Sequence, residues 1–324
     1  MSFIEKIKQP IHAEMQEFEN VFNTVLNSDN TLLTSVHEYV MHGQGKKLRP
    51  ILTILAAKLF GEVNKATLYG AFSLELLHTA SLVHDDVVDD TMERRGRPSV
   101  NAKWTNKVAV LSGDYILSKS LHSATTTHNL RILEAISTIG MILPDGELLQ
   151  LANTKQTALT EQEYLDIVKR KTAMLFATCT EVGALSVNAD EISLAHLKKY
   201  GEYLGMCFQI KDDIFDYYED AQVGKPTGND VRDGKLTLPL IFALKNTIGP
   251  EKDEIVELIE SKNFSTENIN RITQFAHANG GVEYAISRMD DFKKLAIGEL
   301  TDFPDNEIRK SLIACVEFVA ERDF

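Results

Sequence analysis

The sequence predicts an all-α protein, on three observations. Apolar residues recur three and four positions apart along almost the whole chain of 324 residues, the period of a helix with one buried face. Runs of alternating Val, Ile and Thr are scarce, so few strands are expected. There are only eight prolines, and Pro50, Pro98, Pro144, Pro226 and Pro239 fall where helical patterns are expected to begin or end, in keeping with a residue that does not continue a helix. In chain order, residues 51–60 form an apolar stretch interrupted by Lys58. Leu74, Leu77, Ser81 and Val88 mark a long helix, and further helical patterns cover 148–151, 165–175 and 197–218. The strongest break is 223–230, Val-Gly-Lys-Pro-Thr-Gly-Asn-Asp, which reads as a loop between helices. No low-complexity linker divides the chain, so residues 1–324 are expected to form one domain. A chain of this length at helical density makes a multi-layer bundle rather than a four-helix one.

Composition narrows the function. Hydrophobic residues make up 44% and charged residues 25%, ordinary proportions for a globular protein with a sizeable core. The 47 acidic and 34 basic residues give a formal net charge of -13, which argues against a nucleic-acid partner that would need a basic face. Cys179, Cys207 and Cys315 are widely spaced and form no CxxC pair. A disulfide framework or thiolate zinc site is therefore not expected, and a reducing, cytoplasmic setting fits. The first residues show no basic segment followed by an apolar run, so no signal peptide is expected. The 51–60 stretch is too short to span a bilayer.

One motif occurs twice. Leu82-Val83-His84-Asp85-Asp86-Val87-Val88-Asp89 echoes Gln209-Ile210-Lys211-Asp212-Asp213-Ile214-Phe215-Asp216, each placing DDxxD at the end of an apolar helical pattern. On a helix Asp85 and Asp89 share a face, as do Asp212 and Asp216. Such pairs weaken an isolated helix by roughly a few tenths of a kcal/mol. Two charges at about 4 Å in an effective dielectric near 20 repel by about 4 kcal/mol. Six aspartates brought together would need cations, and hard oxygen ligands suit magnesium. A single DDxxD is as often a solvated helix end; two copies, each behind an apolar helix, favour a metal site. An EF-hand calcium loop fits poorly, because counting from Asp85 puts Asp90 where that loop needs glycine.

Basic residues accompany the aspartates. Glu93-Arg94-Arg95-Gly96-Arg97-Pro98 begins four residues after Asp89. Gly45-Lys46-Lys47-Leu48-Arg49-Pro50 forms a second patch, Lys171-Thr172-Ala173 lies in a helical pattern, and Lys225 and Lys235 each follow a glycine after the second triplet. Arginine grips phosphate with a planar fork and lysine as a mobile point charge. Any one of them alone would more often be a solvated surface charge.

Together these motifs resemble the trans-polyprenyl diphosphate synthase family, in the family's order from Gly43 to about Pro239, with no anchoring motif beyond. The resemblance implies an isoprenoid synthase fold around a central apolar cavity. It implies a chain-elongating prenyltransferase that condenses isopentenyl diphosphate with an allylic prenyl diphosphate. Carried over position by position, it makes Asp85, Asp86, Asp89, Asp212, Asp213 and Asp216 the metal residues, with Asp85, Asp89 and Asp212 the main ligands of Mg2+, three ions when diphosphate is bound. Arg94, Lys171, Lys225 and Lys235 would grip the allylic diphosphate. Lys46, Arg49, His78 and Arg95 would hold isopentenyl diphosphate. The oxygens of Thr172 and Gln209 would face the allylic cation, near the matching segment Gly146-Glu147-Leu148-Leu149-Gln150. His78, seven before Asp85, falls on the aspartate face; otherwise it reads as a core histidine. Two departures occur: Gln44 stands where the family has glycine and Lys47 where it has arginine. A homodimer is expected by resemblance.

The resemblance also implies that Ala80 and Ser81, five and four residues before Asp85, bear on product length. Farnesyl-making relatives carry bulky aromatics near here, so small residues imply an open path for a longer tail, with a farnesyl or geranylgeranyl primer and an octaprenyl-like product. Close helix packing is the competing reading. Ile136 or Ile139 is a candidate for the floor of that path. The alternatives are a geranylgeranyl-length synthase, a terpene cyclase or head-to-head condensing enzyme, a non-catalytic subunit of a two-component synthase, and a helical lipid-binding scaffold. The path reading makes a prediction: Ala80→Phe shortens the product, as read by sizing the prenyl chains formed, and an unchanged chain length would count against it.

Overall fold

The computed structural model describes residues 3–25, 29–42, 45–153, 159–218 and 228–322. Among these are seventeen α-helices and one two-stranded hairpin. In chain order they are α1 (Phe3–Lys8), α2 (His12–Val25), α3 (Thr31–His42), α4 (Leu48–Lys58), α5 (Lys65–Val88), the strands β1 (Glu93–Arg94) and β2 (Arg97–Pro98), α6 (Val100–Lys103), α7 (Asn106–Thr125) and α8 (Leu130–Asn153). There follow α9 (Glu161–Val168), α10 (Met174–Ser186), α11 (Glu191–Phe215), α12 (Asn229–Arg232), α13 (Leu238–Asn246), α14 (Pro250–Glu260), α15 (Thr266–Ala278), α16 (Gly281–Gly298) and α17 (Glu307–Glu321). The all-α expectation holds. No helix among the described residues is long and apolar enough to cross a membrane.

The chain divides into two compact units, Met1–Gly140 with Thr178–Lys198 and Phe303–Leu312, and Met141–Ala177 with Lys199–Asp302 and Ile313–Phe324.

In the first unit α5 packs against α2, α4, α6 and α7. Its sequence is apolar nearly all round, as a helix covered on several sides must be, and Phe72, Leu74, Leu76, Leu77, Ala80 and Val83 are all buried. Asn64 starts it: the Asn64 side chain accepts from the Ala66 and Thr67 amides while Thr67 Oγ1 accepts from the Asn64 amide, a reciprocal cap that satisfies donors no helix can pair internally. The close approach of α7 follows from its small buried residues, Ala109, Ser112, Gly113, Ser120, Ser123 and Ala124. Ser73 and Ser120 each donate to the other's backbone carbonyl, at 2.9 and 2.7 Å. A Cβ on Gly113 would lie 2.3 Å from His84 Nε2, so a larger residue there would displace the His84 ring. Val83 joins Val36, Val100 and Ala109 in a buried cluster flanked by Val87 and Trp104, which anchors the carboxyl end of α5.

In the second unit α13 packs against α9, α15 and α16. The portion of α11 in this unit buries Tyr200, Leu204, Cys207, Ile210 and Ile214, a spacing of three and four that makes one continuous face. Cys207 is a core residue whose thiol donates to the Met289 carbonyl at 3.3 Å.

Three local expectations change. Pro144 lies inside α8 rather than at its edge. An interior proline costs a helix about 3 kcal/mol or more; in the turn that follows it, Asp145 pairs with Arg170, and Glu147 with Lys171, both at 2.5 Å. The helix expected over 165–175 is not a plain α-helix: α9 ends at Val168 and a π turn, Lys169–Ala173, precedes α10. The helix expected over 197–218 ends at Phe215. Of the 223–230 loop, residues up to 227 lie outside the described residues, and Gly228, at φ 72°, opens α12.

In the first unit α10 crosses α4 at Gly183, where a Cβ would sit 2.2 Å from the Thr53 carbonyl oxygen and 2.8 Å from Ala56 Cβ. Gly183→Ala should therefore cost about 1–3 kcal/mol, the usual penalty of overpacking. A lower urea midpoint would show this; an unchanged midpoint would mean the two helices part freely.

Candidate active site

The first unit ends α5 with carboxylates. Asp85 and Asp86 lie in its last turn and Asp89 is its C-cap, its amide donating to the Asp85 carbonyl at 2.8 Å. The three do not present alike. Asp86 is 3% exposed and accepts from Arg94 Nε at 2.7 Å. Burial pushes its carboxyl up, and the Arg94 charge opposes that. Asp85 is half-buried and Asp89 exposed.

Arg94 belongs to the β1–β2 hairpin, whose tip is Arg95-Gly96. Both tip residues have positive φ, 54° and 72°, the requirement of a two-residue hairpin turn that matches strand twist. Glycine accepts this at no cost, but Arg95 carries strain of order 1 kcal/mol. The guanidinium of Arg95 lies against Gly45, where a Cβ would be 3.2 Å from it. Thus the Gly45-Lys46 patch and the hairpin tip meet. Lys46 is exposed and Arg49 half-buried in the first turn of α4. Lys47, which replaces the expected arginine, reaches both oxygens of Glu19 at 2.6 Å and lies over the Phe22 ring. Gln44 lies outside the described residues.

His78 is half-buried on α5, and its pKa is held well below the ordinary value by burial first and then by Arg49, Arg95 and Arg94. It is therefore a neutral hydrogen-bonding group among arginines, not a further cation. Ala80 is 1% exposed, and half-buried Ser81 donates to the His78 carbonyl at 2.9 Å. Ile136 and Ile139 are both buried.

The second unit ends α11 in the same manner. Asp213 is 4% exposed, and both its oxygens are engaged, by Tyr164 Oη at 2.5 Å and Gln209 Nε2 at 2.8 Å. Thr172 Oγ1 donates to Gln209 Oε1 at 2.7 Å. The chain Tyr164–Asp213–Gln209–Thr172 fixes which way the Gln209 amide points. Burial, with the Asp230 charge, holds the Asp213 carboxyl well above its usual range, against the pull of the two hydrogen bonds. Asp212 accepts from Arg322 at 2.5 Å, and that guanidinium lies over the Phe208 ring. Asp216 takes the Asn229 and Asp230 amides, each at 2.9 Å.

These residues adjoin a cavity of about 180 Å³ within the second unit, lined by Gln150, Tyr164, Lys171, Thr172, Gln209, Asp213, Asp230, Lys235 and apolar neighbours. The π turn puts Lys171 and Thr172 there: Met174 N–H bonds Lys169 O, five residues back, so one extra residue is accommodated. It is gripped on two sides by glycines. A Cβ on Gly146 would lie 2.8 Å from the Lys171 amide nitrogen, and one on Gly205 2.5 Å from Ala173 Cα. Lys171 pairs with Glu147 and also donates to Gln150 at 3.3 Å. Lys235 pairs with Asp233 at 3.2 Å. Asp230 is pushed up to about 6, by burial first and then by the Asp216 charge. Lys225 lies outside the described residues.

Among the described residues, no three or more His, Cys, Asp or Glu side chains form a metal cage on their own. The donor set nonetheless fits magnesium, which keeps several waters and binds through one or two carboxylates plus substrate phosphates. Asp85 and Asp89 are hard oxygen donors left near the surface, whereas Asp86 and Asp213 are turned inward onto protein partners.

Tyr164, Asp230 and Arg322 were not singled out from the sequence. Tyr164 stands seven residues before Lys171, but the π turn between them breaks the α-helical register, so that spacing was no usable signal. Arg322, near the end of the chain, had none. Tyr164→Phe leaves Asp213 short of a donor and should lower stability by about 1–3 kcal/mol, measured as a reduced urea midpoint; wild-type stability would mean that bond is not needed.

The profile of the polyprenyl synthetase family matches residues 30–276, which carries the likeness beyond Pro239. The chain is 32% identical to octaprenyl diphosphate synthase of Escherichia coli (strain K12), over 99% of each. Two solved structures are similar throughout. A geranylgeranyl pyrophosphate synthase from Bacteroides thetaiotaomicron has 42% identity and a TM-score of 0.87, covering 99% of this chain and 100% of that one. A polyprenyl synthase from Caulobacter crescentus CB15, complexed with calcium and isoprenyl diphosphate, has 31% identity and a TM-score of 0.92, covering 98% of each chain. With its two aspartate-ended helices, its basic hairpin and a likeness that runs almost from end to end, this chain belongs to the polyprenyl synthetase family of prenyltransferases.

Proposed function

We propose that the chain lengthens an allylic prenyl diphosphate with isopentenyl diphosphate, releases diphosphate and makes an all-trans product, acting as one isoprenoid synthase domain and as a homodimer. The observation that carries this reading is the retention of both aspartate triplets, each accompanied by its own basic residues. A non-catalytic subunit or a simple lipid carrier would have no use for both sets.

Arg94, Lys171, Lys225 and Lys235 grip the allylic diphosphate, and Lys46, Arg49, His78 and Arg95 hold isopentenyl diphosphate. Asp85, Asp89 and Asp212 hold magnesium. The calcium named for the Caulobacter crescentus neighbour is another hard, oxygen-seeking cation, which supports this choice. When bound, magnesium supplies Lewis-acid stabilisation of negative charge on the departing diphosphate. Lys171 enters the same task once it exchanges Glu147 for phosphate. Thr172 and Gln209 present fixed dipoles to the allylic cation, and such preorganisation is the strongest lever an enzyme has on developing charge. Their orientation is set in advance by Asp213 and Tyr164. His78, being neutral, donates a hydrogen bond without adding charge.

For product length we propose a chain longer than geranylgeranyl, supported by small Ala80 and Ser81 and by the octaprenyl-forming relative. The 42% identity to a geranylgeranyl pyrophosphate synthase favours a second reading, a shorter product. Incubating the purified chain with isopentenyl diphosphate, magnesium and primers from dimethylallyl to geranylgeranyl diphosphate, then sizing the products, separates the two. Failure to consume isopentenyl diphosphate with any primer would overturn the elongation reading itself. Asp85→Ala and Asp212→Ala are each expected to abolish turnover while the circular dichroism spectrum stays native. Near-wild-type turnover at saturating magnesium would remove those residues from the metal site.

A further inference from the structure

Arg322 has no task in the chemistry proposed above, yet its side chain is closely held on α11. It lies just beyond α17, its amide donating to the Phe318 carbonyl at 3.0 Å. The preceding Glu321 pairs with Lys293 of α16 at 3.1 Å, which helps fix where this end of the chain lies. From there the guanidinium reaches α11. It lies 4.1 Å from the centre of the Phe208 ring and 5.5 Å from that of Phe215. Its Nη2 donates to the Phe208 carbonyl at 3.0 Å and to Asp212 Oδ1 at 2.5 Å. The Arg322 side chain is only 15% exposed, whereas that of Asp212 is 41% exposed and open to a ligand from solvent.

Two features speak against an ion pair kept for stability alone. Arg322 Nε is buried and meets no acceptor among the described residues, and an unmet buried donor destabilises a fold. The hydration that a buried guanidinium gives up also offsets its attraction to the carboxylate, and apolar side chains commonly do as well in such places. An apolar residue packed on Phe208 and Phe215 would tie the end of α17 to α11 equally well. What a cation adds at this point is a fixed positive charge on Asp212.

We infer that Arg322 makes the second aspartate triplet selective for a metal–diphosphate complex over the metal alone. The inference rests on the proposed role of Asp212 as a magnesium ligand. A bare divalent cation approaching Asp212 meets the guanidinium charge and competes with it for the carboxylate. The same cation carried by a diphosphate arrives with an excess of negative charge, so the guanidinium attracts the complex although it repels the bare ion. Arginine is also suited to phosphate oxygens by the geometry of its donors. Two rings and a carbonyl hold Arg322 beforehand, so its charge needs little ordering when the complex arrives. The second triplet therefore fills when a diphosphate is there to be activated, and not before.

The test is Mn2+ binding to the full-length protein, followed by electron paramagnetic resonance, with and without inorganic diphosphate. Arg322→Gln should bind Mn2+ alone about tenfold more tightly than wild type, and Mn2+ with diphosphate less tightly, so that the gain from diphosphate shrinks. Arg322→Lys keeps the charge and should stay closer to wild type in both measurements. Unchanged affinities in folded Arg322→Gln would reduce Arg322 to an anchor of α17 and overturn the inference. Affinities that move in the same direction, or a lysine variant that behaves as the glutamine one does, would overturn it as well. Wild-type affinities in Asp212→Ala would instead remove Asp212 from the metal site, and the inference with it. Should Arg322→Gln not fold, the arginine side-chain N–H resonances of wild type decide, the Arg322 signal being the one missing from Arg322→Lys. At one metal concentration that signal should move far more with magnesium and diphosphate together than with magnesium alone, and equal shifts would overturn the inference.

Discussion

Negative charge gathered at the carboxyl end of a helix is the constraint on which both units depend. A helix already presents partial negative charge there, so acidic side chains in the last turn are opposed by the dipole as well as by one another. α5 and α11 both accept this arrangement, and both manage it alike. The second aspartate of each triplet is turned inward and given a fixed partner: Arg94 for Asp86, Tyr164 and Gln209 for Asp213. That leaves the outer carboxylates to meet charge from elsewhere. Asp216 takes backbone amides and Asp212 takes Arg322, substitutes of a kind that a cation and its phosphate ligands can replace.

The basic residues show the complementary economy. Several sites expected to meet phosphate already pair with acids: Lys171 with Glu147, Lys235 with Asp233, Arg94 with Asp86. Each is held in place by its acid before any ligand arrives, so less ordering would be left for the moment of binding. Arg95 and Lys47 are held at a local cost, both with left-handed backbone, Arg95 at the tip of a hairpin and Lys47 at the start of α4.

Much of this was legible in the sequence. The apolar period of α5 and α11 and the doubled DDxxD located both helices and put an aspartate triplet at the carboxyl end of each, although α11 stops at Phe215 and not at 218, because a helix face repeats at a spacing that can be counted. What could not be counted was how unlike residues share one motif. Nothing in Asp85-Asp86 says that the second carboxylate is buried, since that depends on Arg94 folding back from a hairpin. Pro144 was misjudged for the same reason: local propensity marks an edge, and α8 nevertheless continues through it. Arg322 stands 110 residues from Asp212, a pairing that no short-range pattern encodes.

The π turn at Lys169–Ala173 holds one residue more than an α-helix would. One surplus residue lets the chain keep α9 and α10 each in its own apolar register while the residues between them turn a different face outwards. The most regular helix attainable here would be one residue shorter, and it would carry Lys171 and Thr172 about a quarter-turn away from Gln150 and Gln209. A regular helix and the observed placing of Lys171 therefore pull in opposite directions at this one spot. Insertions and deletions between Val168 and Met174 should be tolerated far less than substitutions, however conservative the composition they leave behind.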